Sequence, residues 1–135
     1  MKVREIMSRN VACCTSQDSM EAAASKMESL NVGAIPVVNN GQVVGMVTDR
    51  DLVIRGLANQ QGNMVSDVMS NNVVSVSPDA SLEEAAALMA QHQIRRLPVV
   101  ENGQIAGIVS LGDLSVREQA NESAGSALSN ISKNF

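Results

Sequence analysis

The sequence predicts an α/β fold in which one supersecondary unit is used twice. Two observations carry that expectation. Residues 3–52 and 65–114 superimpose at a constant offset of 62 without a gap, and 20 of the 50 aligned positions are identical. Within each copy, apolar residues spaced by three and four alternate with short apolar runs set about Asn-Gly turns, so helical and strand periods share one unit. Two copies are too few for a solenoid, which needs about three or more. They suit a pseudo-twofold pair instead, each half burying the apolar face of the other, with related clefts at the seam where small ligands prefer to sit.

Each copy reads strand, helix, strand, turn, strand, helix. In the first, residues 11–14 form a short apolar strand. Asp18 and Glu21, three apart, then resemble a capping box. Met20, Ala23, Ala24, Met27 and Leu30 make the stripe of an amphipathic helix. A buried strand at 35–38 turns at Asn39-Asn40-Gly41-Gln42, where Asn and Gly tolerate positive φ. The chain returns at 43–47 and ends in a short helix at 49–57. The second copy repeats this, with Ser81 and Glu84 as the capping pair and Leu82, Ala85, Ala86 and Met89 as the stripe. Its strands at 97–100 and 105–109 flank Glu101-Asn102-Gly103-Gln104. The domain division is therefore 1–58 for the first copy, 59–64 for a polar linker, 65–118 for the second copy and 119–135 for a tail. In the tail Ala120, Ala124, Ala127, Leu128 and Ile131 keep helical spacing although Gly125 opposes a helix. It is either a helix docked on the body or on a second subunit, or a frayed end.

Composition narrows the function. A chain of 135 residues that is 44% hydrophobic is long enough to bury about 68% of its unfolded surface in one compact domain. The net charge of −4 argues against general nucleic-acid binding, which needs cations against phosphates. With no Trp, no Tyr and a single Phe at position 135, no aromatic ring inside the fold can stack on a base. No run of about eighteen apolar residues predicts a membrane span, and the first residues carry no secretory signal. Cys13 and Cys14 are neighbours on a strand and face opposite ways, so they are read as small hydrophobes in a reducing, cytoplasmic setting rather than a disulfide. The lone His92 falls on a stripe position with no ligand spacing around it. No Ser-His-Asp set, Cys-His pair or metal cluster is present, so the chain is not expected to be an enzyme.

The sharpest chemical signal closes the third strand of each copy. Thr48-Asp49-Arg50-Asp51 corresponds to Ser110-Leu111-Gly112-Asp113. A hydroxyl ends the strand and a carboxylate follows three residues on, in the first turn of a helix. Free N–H groups there suit a phosphate, and the carboxylate can accept both hydroxyls of a ribose. The same residues are equally well explained as N-caps with an acidic third residue.

These motifs resemble those of the cystathionine-β-synthase (CBS) domain. The resemblance rests on the turn Asn40-Gly41-Gln42 with 43–52 after it, on Ile35-Pro36-Val37-Val38 and Leu97-Pro98-Val99-Val100, and on the opening Val65-Ser66-Asp67-Val68-Met69. Residues 1–118 are similar to a tandem CBS pair, or Bateman module, and to small stand-alone bacterial CBS-pair proteins. The resemblance implies βαββα repeats, homodimers, and clefts for adenosine compounds such as AMP, ATP or S-adenosylmethionine, regulating a partner protein that remains to be identified. It maps the ribose carboxylate onto Asp51 and Asp113, the hydroxyl onto Thr48 and Ser110, and the adenine clamp onto Ile35, Pro36, Leu97 and Pro98. The copies diverge in charge. Arg50 faces Gly112 in the alignment, whereas Arg95 and Arg96 replace Gly33 and Ala34. The family often places cations here against phosphates; surface charges or dimer contacts are the other reading. A ligand-free interaction module is the alternative to a nucleotide sensor.

Overall fold

A computed structural model describes residues 1–60 and 62–115; the helical expectation for 119–135 lies outside the described residues. The chain divides into two compact units. One comprises residues 12–73 and is called here the Thr48 unit. The other joins residues 1–11 to residues 74 onward and is called the Ser110 unit. The opening segment of each copy is thus built into the unit that holds the rest of the other copy.

In the Thr48 unit, helix α1 (Met20–Leu30) begins at Ser19, whose Oγ accepts a hydrogen bond from the Ala22 N–H at 3.1 Å. The expected cap at Asp18 is displaced by one residue. Asp18 instead accepts from the Thr15 N–H at 2.9 Å and closes the preceding turn, as Asp does when a local backbone donor is within reach. Of the stripe, Ala23 and Met27 are buried, Met20 is half-buried, and Ala24 and Leu30 are exposed. The apolar arc of α1 is wider than the face this unit covers.

Strands β1 (Ala34–Asn39) and β2 (Gln42–Thr48) form an antiparallel hairpin. Asn40 and Gly41 turn it with φ of 53° and 82°, the positive pair of a type I′ turn. The expected strand at 11–14 contracts to one parallel bridge, Cys14 to Val37. Cys14 N–H donates to the Pro36 carbonyl at 3.1 Å and Val38 N–H donates to the Cys14 carbonyl at 2.8 Å. The next donor along β1 belongs to Pro36, which has no N–H, so the ladder stops there.

After β2, a single α turn (α2, Asp49–Asp51) continues as a π-helix over Leu52–Ala58, where a plain short helix was expected. Helix α3 (Val65–Val68) returns to the unit and buries Val65 and Val68 with Cys14, Ala23, Met27, Ile35, Val37, Val47 and Leu52.

The Ser110 unit repeats the plan. Helix α4 (Leu82–His92) is capped by Ser81, which accepts from the Glu84 N–H at 3.1 Å. Its stripe residues Leu82, Ala85, Ala86 and Met89 are all buried, and His92 is exposed in its last turn. Strands β3 (Arg96–Glu101) and β4 (Gln104–Ser110) pair about Asn102 and Gly103, at φ of 55° and 79°. Helix α5 (Leu111–Ser115) follows. A 3₁₀ turn at Val3–Glu5 joins this unit through Val3 and Arg4 N–H bonds to the Ala80 and Pro78 carbonyls, both at 2.9 Å. Arg4 also reaches Asp79 at 2.8 Å and Glu101 at 3.5 Å. Its hydrogen bond holds the Asp79 carboxyl below the usual range.

Two glycines make these junctions possible. A Cβ on Gly45 would lie 2.7 Å from the Ser70 carbonyl oxygen and 2.9 Å from the Met69 sulfur. The matching atom on Gly107 would lie 2.7 Å from the Ser8 carbonyl oxygen and 2.8 Å from the Met7 sulfur. In each unit the opening segment crosses a strand at backbone contact, which only glycine permits.

Candidate functional site

In each unit the start of one strand and the end of its partner converge. Ala34 lies opposite Thr48 in the β1–β2 ladder, and Arg96 lies opposite Ser110 in β3–β4. The helix after the strand is tied back to the same point. Asp49 N–H donates to the Gly33 carbonyl at 2.9 Å, and Leu111 N–H donates to the Arg95 carbonyl at 2.7 Å. Residues 33–36 with 48–51, and 95–98 with 110–113, are therefore two copies of one local arrangement.

The hydroxyl and carboxylate in each copy bond each other reciprocally. Thr48 N–H donates to Asp51 Oδ2 and Asp51 N–H donates to Thr48 Oγ1, both at 3.0 Å. Ser110 N–H donates to Asp113 Oδ2 at 2.9 Å, and Asp113 N–H donates to Ser110 Oγ at 3.1 Å. The cap reading of these residues is thus realised in the geometry. It uses one oxygen of each carboxylate. Asp51 Oδ1 stands 3.9 Å from Arg55 Nε, with the side chain 17% exposed. Asp113 is likewise half-buried, and among the described residues its Oδ1 accepts no hydrogen bond. Each hydroxyl accepts a bond and keeps its own proton to donate.

The helix-start N–H groups expected to receive a phosphate are largely occupied. Asp49 donates to Gly33, Asp51 to Thr48, and Arg50 N–H to its neighbour Asp49 Oδ1 at 2.8 Å. Leu111 and Asp113 are engaged in the same way in the other unit. An anion at either place must therefore be met by side chains. Arg50 is exposed on the Thr48 unit, and Arg95 is exposed on the Ser110 unit. Arg96 is half-buried, and its Nε is buried without a hydrogen-bond partner among the described residues.

The proposed adenine clamp is less open than its sequence position suggests. Ile35 and Leu97 are 2% and 0% exposed and belong to the two cores. Pro36 and Pro98 are buried, and their carbonyls accept the Cys14 and Val76 N–H groups at 3.1 Å. Asp49 was not among the expected site residues, yet its carboxylate lies where a Cβ on Gly33 would be 3.3 Å from Oδ2. The signal was available in the repeat, because position 49 is acidic where position 111 is leucine.

Beside Asp49 runs an apolar groove of about 440 Å³, lined by Met20, Ala24, Met27, Val32, Leu52 and Leu57 with Glu21 and Glu28 at its edge. The cysteines are free. Burial pushes the Cys14 thiol up to about 11, so at neutral pH it is a protonated core side chain and not a nucleophile. Among the described residues no group of three His, Cys, Asp or Glu is placed to hold a metal ion, and no helix is long and apolar enough to cross a membrane.

Comparison with known proteins shows what the chain is similar to. A family model described as the CBS domain matches residues 3–56 and 65–117. The chain is 52% identical over 132 residues to the CBS domain-containing protein YhcV of Bacillus subtilis (strain 168), covering 96% of this chain and 94% of that protein. Among solved structures it is similar to the CBS domain pair of protein MJ0100 in complex with 5′-methylthioadenosine and S-adenosyl-L-methionine. That match has a TM-score of 0.76 at 27% identity, covering 86% of this chain and 94% of the other. It is also similar to CBSX2 in complex with AMP, with a TM-score of 0.75 at 28% identity, covering 83% and 91% of the two chains.

Proposed function

Because the chain belongs to the CBS domain family, we propose that it is a regulatory, non-catalytic module of the cytoplasm that senses an adenosine compound of the AMP, ATP or S-adenosylmethionine class. The observation that carries this reading is the pair of half-buried carboxylates, Asp51 and Asp113, each bound through one oxygen to the residue that ends a strand; the second oxygen of Asp113 accepts no hydrogen bond among the described residues and that of Asp51 faces Arg55 Nε at 3.9 Å. A ribose diol needs two acceptor lone pairs side by side, and a carboxylate clamped on one side presents them with little ordering cost. The adenine would be read by backbone N–H and C=O groups near 34–35 and 96–97, since the Ile35 and Leu97 side chains are buried. The ligand regulates by preferring one state of the module over another. In a partner protein it would act through that shift.

AMP at 100 times its dissociation constant is expected to stabilise the protein by about 2.7 kcal/mol. The melting temperature in far-UV circular dichroism should rise accordingly, and the Asp51→Ala/Asp113→Ala double variant should lose the rise. A rise that survives the double substitution removes the ribose assignment. Lacking Trp and Tyr, the protein also reveals any co-purified nucleotide directly by absorbance near 260 nm. The completeness of both caps favours the second reading, a ligand-free interaction module, and that reading requires no stabilisation by any adenosine compound.

The homodimer belongs to the same proposal. Leu30, Val53, Ile54 and Leu57 are 49%, 52%, 45% and 72% exposed, and Val53 and Leu57 line the apolar groove of the Thr48 unit. Covering them with a second copy removes apolar area at about 25 cal/mol per Å². Leu57→Glu is expected to convert a dimer to monomers in sedimentation analysis while the circular dichroism spectrum stays unchanged; a wild-type monomer at micromolar concentration excludes the dimer.

A further inference from the structure

We propose that the two matched sites select ligands of opposite charge character. The Ser110 unit takes a nucleoside that carries phosphate, and the Thr48 unit takes one that does not. This inference rests on the adenosine reading of Asp51 and Asp113 and assigns a ligand class to each site.

The sites share backbone geometry, so their selectivity must come from side chains at positions where the copies differ. Four positions at the convergence point change charge. Residues 95 and 96 are arginines where 33 and 34 are glycine and alanine, residue 111 is leucine where 49 is aspartate, and residue 112 is glycine where 50 is an exposed arginine. Arg96 sits directly opposite Ser110 in the ladder, two residues before Pro98. Its Nε is buried with no hydrogen-bond partner among the described residues, and neither Arg95 nor Arg96 forms an ion pair there. A buried guanidinium N–H without an acceptor is costly to leave unmade. A phosphate supplies the missing acceptor and matches the guanidinium fork with two oxygens.

The Thr48 unit is built the other way. Gly33 leaves room that the Asp49 carboxylate occupies, 3.3 Å from the position of a Cβ. Its Oδ1 accepts only the Arg50 N–H, and no side-chain cation pairs with it among the described residues. A second carboxylate, Asp51, lies in the same turn. A phosphate placed there meets two carboxylates, Asp49 and Asp51, against one exposed arginine, Arg50, whereas the Ser110 unit sets two arginines, Arg95 and Arg96, against the single carboxylate of Asp113. A nucleoside with a neutral thioether avoids that repulsion, and one with a cationic sulfonium in addition gains from Asp49.

Calorimetric titration of the full chain with AMP and with 5′-methylthioadenosine tests the assignment. The expected result is one AMP per chain, with 5′-methylthioadenosine still binding after AMP saturation. Arg96→Met should weaken AMP by about ten- to hundredfold and leave 5′-methylthioadenosine within about twofold. Asp49→Lys should instead create a second AMP site. Two equivalent AMP sites in the wild type, full competition between the two compounds, or equal weakening of both by Arg96→Met overturns the partition while leaving adenosine binding intact. Absence of heat from either compound overturns the adenosine reading and the partition together.

Discussion

Gly107→Ala is expected to destabilise the protein by about 3 kcal/mol, whereas Gly112→Ala, five residues away, is expected to stabilise it by up to about 1 kcal/mol. The added methyl at 107 would stand 2.7 Å from the Ser8 carbonyl oxygen. That oxygen cannot simply retreat, because it accepts the Ile108 N–H at 2.9 Å while the Ser8 N–H donates to the Ile108 carbonyl at 2.8 Å. Relief of the overlap therefore breaks a pair of backbone hydrogen bonds worth about 1 kcal/mol each, besides shifting Met7 in the core. Among the described residues the methyl at 112 would meet only Ser110 Oγ at 3.6 Å, an ordinary contact, and alanine restricts the unfolded chain and favours helix. With no Trp or Tyr to report, urea unfolding followed by far-UV circular dichroism is the suitable measurement. Equal effects at the two sites would mean that the junction of residues 7–8 with β4 is not a fixed part of the Ser110 unit.

That junction marks the boundary of what the sequence could disclose about the fold. The hairpins were legible because Asn-Gly at 40–41 and 102–103 leaves little choice of turn, and α4 was legible because its whole stripe is buried. Contacts such as Val3 with Ala80 were not, because nothing local encodes pairing across 77 residues. Gly45 and Gly107 were visible as repeated glycines, but a glycine does not say which backbone will approach it. The cap of α1 was misplaced because Asp18 and Ser19 are both good caps; the repeat itself favours Ser19, which aligns with Ser81. The strand at 11–14 failed for a reason also present in the sequence, the missing N–H of Pro36, whose effect becomes clear only once the partner strand is known. Ala24 and Leu30 keep helical spacing yet are exposed, since periodicity defines an apolar arc without saying what covers it.

The candidate site was legible in its residues more than in its chemistry. Thr48 bonds Asp51, and Ser110 bonds Asp113, as their spacing implied, because a reciprocal cap forces the geometry within each unit. The occupied N–H groups and the closed Ile35 and Leu97 were not readable, since both depend on which partner each group finds in three dimensions. Asp49 departs from Leu111 as sharply as Arg50 departs from Gly112, and a carboxylate in place of leucine changes the local field just as much as an added cation.

Asp113→Asn separates the two roles that the structure superimposes on one carboxylate. The cap needs a single acceptor for the Ser110 N–H, now at 2.9 Å, and an amide oxygen supplies one. Stability in the absence of ligand is therefore expected to stay within about 0.5 kcal/mol of wild type, against a loss of about 1 kcal/mol for Asp113→Ala, which leaves that N–H without its partner. A ribose diol asks for more. Its two hydroxyls both donate, and the amide turns a donor toward the second of them, so a charge-assisted bond becomes a clash of donors. Hydrogen bonds to charged groups contribute about 1.5–3 kcal/mol, which corresponds to an affinity for AMP lower by about ten- to hundredfold. Asn and Ala should thus look alike in calorimetry with AMP and differ in thermal melts without it. If the Asn variant binds AMP as tightly as wild type, the carboxylate completes the helix start and does nothing for a ligand. If it melts as low as the Ala variant, the cap depends on negative charge beside the helix start and the two roles cannot be divided at this position.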